Sequence, residues 1–86
     1  MSNYEYNIYA ENGTITTNSR DTPFSLKELQ EIVGGRIEII PVKIPGIKSY
    51  ENVYVVCEDG LYKFSPNSML PQFYGVVLCA NKKLIR

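Results

Sequence analysis

The pattern of apolar and polar positions divides the chain into seven segments, six strands and a helix. Tyr4 to Ala10 alternates, with Tyr4, Tyr6, Ile8 and Ala10 on one face, which is the period of a half-buried strand. Asn12-Gly13 follows as a hairpin signal, and the β-branched run Thr14-Ile15-Thr16-Thr17 reads as the returning strand. Asn18 to Pro23 reads as a polar loop. Between Phe24 and Val33 the period changes from two to that of a helix, with Leu26, Leu29, Ile32 and Val33 forming an apolar stripe. Ser25 is placed to cap that helix, Glu28 to complete a capping box, and Phe24 with Leu29 to form a hydrophobic staple. Gly34 supplies a left-handed stop. Ile37 and Ile39 then alternate with Arg36 and Glu38, so a strand is expected to fold back along the helix.

The second half is read in the same way. Tyr50 to Cys57 is a strand with Val53, Val55 and Cys57 on one side and Tyr54 and Val56 on the other. Glu58-Asp59-Gly60 reads as a turn and Leu61 to Phe64 as its short returning strand, making a second hairpin. Ser65 to Ser68 is a turn, and Pro71 limits any helix after it. Tyr74 to Ala80 is nearly all apolar, which predicts a central strand covered on both faces. Asn81 to Arg86 reads as a basic end closing on a short last strand. The expected fold is one domain, residues 1–86, of the α+β class: an antiparallel-rich sheet of five or six strands with one main helix packed on one face.

Composition narrows the chemistry. Nine Lys plus Arg balance nine Asp plus Glu, so there is no electrostatic case for duplex nucleic acid or an anionic membrane. Histidine is absent and the two cysteines, Cys57 and Cys79, have no paired spacing, so no metal site or cofactor is expected. Both sit in apolar runs and read as buried, inert thiols rather than a disulfide. No segment approaches the length of a membrane span, and the first residues lack the pattern of a signal peptide. The expected location is the cytoplasm. A core this small is often supplemented by oligomerisation.

No nucleophile–base arrangement or phosphate-binding loop appears, and no enzyme activity is expected. Glu38 and Glu58 can approach across the sheet, but no spacing requires it. Gly34-Gly35 follows a helix C-terminus, where the dipole disfavours anions, so it reads as a helix stop. Seven tyrosines are the more prominent feature. Base rings stack on aromatic side chains, and lysine neutralises phosphate. Tyr50 and Tyr54, with Lys43 and Lys48 in the preceding loop and Lys63 after the turn, form the candidate ligand-binding set. Asn67 joins it as a side-chain amide able to read a base edge, although a turn or cap role is the ordinary one for such an asparagine.

The run Ser25-Leu26-x-x-Leu29-Gln30-x-x-Val33-Gly34-Gly35-x-Ile37-Glu38 is followed in order by Glu58-Asp59-Gly60, Asn67 and Gly75-Val76-Val77. This succession resembles the signature of a family of small phage and prophage proteins of uncharacterised function. The resemblance implies a phage accessory protein of the host-cell cytoplasm. By analogy with proteins of this size and kind, it implies an anti-defence sponge, which binds a cyclic nucleotide signal at subunit interfaces of a homo-oligomer without cleaving it. The alternative is a small protein–protein interaction module that inhibits a host factor and takes no small-molecule ligand.

Overall fold

The computed structural model describes residues 3–42 and 51–85. Five antiparallel strands form one sheet: β1 (Tyr4–Tyr9), β2 (Ile15–Arg20), β3 (Ile37–Pro41), β4 (Asn52–Cys57) and β5 (Val77–Asn81), in the order β2-β1-β5-β4-β3. Helix α1 (Leu26–Val33) packs on one face, against β3, β4 and β5. The α+β fold expected from the pattern is the fold observed.

The start and stop of α1 follow from local chemistry. The Ser25 amide donates to Glu28 Oε1 at 2.9 Å, and the Glu28 amide donates to Ser25 Oγ at 3.1 Å. Gly34 ends the helix at φ 84°, a conformation that glycine adopts without steric cost. Leu29 and Val33 are buried, as is Phe24 before the cap. Leu26 does not join the apolar stripe. At the first helical position it is 59% exposed, because the sheet lies under the face carrying Leu29 and Val33.

The core lies between α1 and the sheet face carrying Val53, Val55, Cys57, Leu78 and Ala80, with Leu84 closing one end. Tyr4, Tyr6 and Ile8 of β1 pack against it, as the alternation requires. The Tyr6 and Phe24 rings meet edge to face at 5.0 Å, and the Arg20 guanidinium lies 4.1 Å over Phe24. β5 is central, paired with β1 on one side and β4 on the other. Cys79 lies opposite Tyr54, and Cys57 follows Val55 by two residues on the helix side. The two thiols therefore occupy opposite faces of the sheet and remain free.

Three expectations are revised. Leu61 to Phe64 is not a strand: Gly60–Lys63 forms a short helical turn, α2. Both edges of β4 are already taken, by β3 and β5, so a returning strand has no ladder to join. The segment 65–75 instead crosses the sheet face away from α1, where Phe73 meets Tyr54 at 5.2 Å. The polar run Asn18 to Arg20 continues β2 rather than forming a loop, because β1 offers partners as far as Tyr4. Finally, the basic end forms a 3-10 turn over Lys82–Leu84, capped by Asn81 Oδ1, which accepts from the Lys83 amide at 2.9 Å.

Candidate functional site

The residues expected to form one site are dispersed. Lys43, Lys48 and Tyr50 lie outside the described residues. Tyr54 is half-buried on the sheet face away from α1, between Cys79 of β5 and Ile40 of β3, with its ring tilted at 56° to Phe73. Burial raises the phenol's pKa, helped by the nearby Cys79 and Tyr9. Lys63 is on the other side of the sheet. Its Nζ donates to the Gly34 carbonyl at 3.1 Å, at the C-terminal end of α1. A Cβ on Gly35 would lie 2.9 Å from Lys63 Nζ and 3.1 Å from Cys57 Sγ. Lys63 and Tyr54 are therefore not brought together.

Asn67 is fully buried, and its whole side chain is engaged inside the fold. Nδ2 donates to the carbonyls of Tyr9 (3.0 Å), Ala10 (3.3 Å) and Gly75 (2.8 Å). Oδ1 accepts from the amides of Met69 (3.0 Å) and Leu70 (3.1 Å). This amide ties the crossing segment to the end of β1 and has nothing left to offer a ligand.

Cys57 closes a small cluster beside Lys63. Its thiol donates to Asp59 Oδ1 at 3.2 Å. Burial, and then this hydrogen bond, push the thiol pKa up, while the same bond pulls the Asp59 carboxyl down. A thiol held protonated is a poor nucleophile. Among the described residues, no group of three or more histidine, cysteine, aspartate or glutamate side chains is placed to hold a metal ion. Glu38 and Glu58 do line one cleft, of about 220 Å³, with Phe73, Tyr74 and Leu61. Glu58 also faces Arg36 at 3.8 Å.

The structure assembles a tyrosine with lysines at a different place. A cleft of about 450 Å³ is lined by Tyr4, Asp21, Pro23, Lys82, Lys83 and Leu84. That volume lies within the range of small-ligand sites, about 300–1,000 Å³. Tyr4 opens β1 and Asp21 follows β2, while the capped 3-10 turn after β5 presents Lys82 and Lys83. Lys83 Nζ is 5.8 Å from the centre of the Tyr4 ring. Two lysines against one aspartate leave a formal excess of one positive charge on the lining. Leu84 ties the lining to the core: it is buried, and its carbonyl accepts from the Phe24 amide at 2.8 Å.

Sequence reasoning identified the basic end and placed Tyr4 on a strand but did not join them. Only the pairing of β5 beside β1 brings the two ends of the chain together. A central position for the apolar Tyr74–Ala80 run was the one available signal, since the residues after a central strand must emerge beside a neighbouring strand's start. Searches of protein-family models, curated proteins and solved structures found no match to this chain.

Proposed function

We propose that this protein binds and sequesters a small nucleotide without cleaving it, and that the ligand occupies the Tyr4–Lys82–Lys83 cleft. The observation that carries the reading is the placement of an aromatic ring and two lysines around one cleft of nucleotide size. A base stacks on the Tyr4 ring, phosphate oxygens accept from the lysines, and Asp21 accepts from a ribose hydroxyl or an exocyclic amine. A neutral net charge suits a compact nucleotide better than a long polyanion. The lining holds one carboxylate, Asp21, with no histidine, cysteine or second carboxylate beside it. A phage origin, a role in defeating a cyclic-nucleotide defence signal and a place in the host cytoplasm belong to the same proposal. They rest on the sequence resemblance. No helix among the described residues is long and apolar enough to cross a membrane.

The test is to incubate the protein with cyclic di- and trinucleotides and ADP-ribose derivatives, isolate the complex, denature it and identify what is released. One class of ligand recovered intact, and lost from Lys83→Glu, is the expected result. Release of a hydrolysed product, or equal retention by Lys83→Glu, contradicts the reading.

A second reading, a module that occludes a host protein, is favoured by α2, where adjacent Leu61 and Tyr62 are 59% and 86% exposed. Exposed aromatic residues of this kind are enriched at protein interfaces. It predicts that Tyr62→Ala abolishes partner binding while Lys83→Glu leaves it intact.

A further inference from the structure

The two edges of the sheet are not equivalent. β3, at one edge, carries defences against pairing with another chain. Its hydrogen bonds to β4 continue on both sides, where the Glu58 amide donates to the Arg36 carbonyl and the Val42 amide to the Asn52 carbonyl. By the antiparallel alternation, Ile37, Ile39 and Pro41 turn their backbone groups outward. Pro41 has no amide hydrogen to give, and Glu38 adds a charge, two devices that blunt an edge.

β2, at the other edge, has neither. It runs Ile-Thr-Thr-Asn-Ser-Arg, with no proline, no bulge within its paired register and no lysine or carboxylate. Its one charged side chain, Arg20, turns back to Glu28 at 3.0 Å. The hairpin leading into β2 begins with the Ala10 amide donating to the Thr14 carbonyl at 2.8 Å. Counting from that bond, Thr16, Asn18 and Arg20 face β1, while Ile15, Thr17 and Ser19 direct their amides and carbonyls away from the sheet. Among the described residues, no strand pairs with that side. The side chains from Ile15 to Ser19 are exposed.

The geometry points to a homodimer in which β2 pairs antiparallel with β2 of a second copy, joining the two sheets into one. The occupant is a second copy because the edge is self-complementary. A two-fold axis at Thr17 sets Ile15 against the partner's Ser19 and Thr17 against the partner's Thr17. Every outward donor from Ile15 to Ser19 then meets an outward acceptor. No like charges face each other, and a Thr–Thr pair of this kind stabilises an antiparallel ladder. The paired residues Ile15 to Ser19 are not among those lining the Tyr4–Lys82–Lys83 cleft, although Asp21 of that cleft lies two residues beyond Ser19.

Sedimentation equilibrium of the full chain gives the test. The wild type is expected at twice the chain mass of 9.8 kDa. Thr17→Lys sets two ammonium groups against each other at the axis and is expected at the monomer mass, with an unchanged circular dichroism spectrum. An equimolar mixture of Thr17→Lys and Thr17→Glu is expected to recover the dimer, which misfolding of either variant would not allow. A wild type that stays monomeric up to its solubility limit overturns the inference. So does an assembly whose mass is unaffected by Thr17→Lys, which would place the contact elsewhere.

Discussion

Asn67 shows at the scale of one residue how a polar side chain becomes structural. An asparagine amide offers two donor hydrogens and an acceptor oxygen, and here five backbone groups use them in a site closed to solvent. Asn67→Ala strands buried carbonyls and is expected to cost about 2–3 kcal/mol, read by urea denaturation. Asn67→Asp is expected to be no better, because a carboxylate cannot donate to the Tyr9, Ala10 and Gly75 carbonyls. Loss of nucleotide binding in a fully stable Asn67→Ala protein would contradict this assignment. Sequence reasoning reached the turn role but had no means of seeing that two of the acceptors lie at the end of β1, in Tyr9 and Ala10. Glu28, by contrast, was legible throughout: the capping box specified its partner, and Arg20 was the addition. The Arg20 side chain that donates to it, followed by the Ser25 amide, lowers its pKa from 4.5 to about 2. The folded state thus binds this proton more weakly than the unfolded chain. Its stabilisation is complete above about pH 4.5 and disappears as pH falls toward about 2. Thermal midpoints measured across that window are expected to fall less steeply for Glu28→Gln than for the wild type. Parallel curves would contradict the linkage.

Elements were legible where the signal was local. Capping and periodicity specified α1, and alternation specified β1, β3 and β4. The segment 61–64 was misread because its composition suits a strand, while the decision lay with β4, whose two edges were already paired. The helical turn adopted instead has a consequence for α1. That helix has no basic residue in its last turn, and Lys63 of α2 supplies the missing charge by donating to the Gly34 carbonyl. Lys63→Met is expected to destabilise by about 0.3–1 kcal/mol, an effect that weakens with added salt. Gly35→Ala is expected to reproduce that loss and exceed it, since the new Cβ would sit 2.9 Å from Lys63 Nζ and 3.1 Å from the buried Cys57 sulfur. Equal stability of Gly35→Ala and the wild type in urea would show that the cluster yields without cost. The double glycine thus has two separate reasons: left-handed backbone at Gly34 and lack of space at Gly35.

For the whole molecule, the decisive event is the insertion of β5 between β1 and β4. It joins Tyr4, near the start of the chain, to Lys82 and Lys83, near its end. It also leaves β2 and β3 as the two edges. Pairwise reading along the chain cannot foresee such a juxtaposition, because neither a lone tyrosine nor a basic end signals the other. The candidate site was therefore sought where tyrosines and lysines are close in sequence, whereas the cleft gathers residues from both ends. The proposed function requires that this cleft hold a nucleotide. The measurement that meets it most directly is thermal unfolding of the wild type and Lys83→Glu across a panel of cyclic di- and trinucleotides. Ligand at 100 times its dissociation constant stabilises a protein by ~2.7 kcal/mol, a rise of roughly 10 °C or more in a domain of this size. One ligand class raising the wild-type midpoint by that amount, with the rise abolished in an equally stable Lys83→Glu protein, is the predicted result. A panel that leaves the wild-type midpoint unmoved, or a rise that Lys83→Glu retains in full, would contradict it.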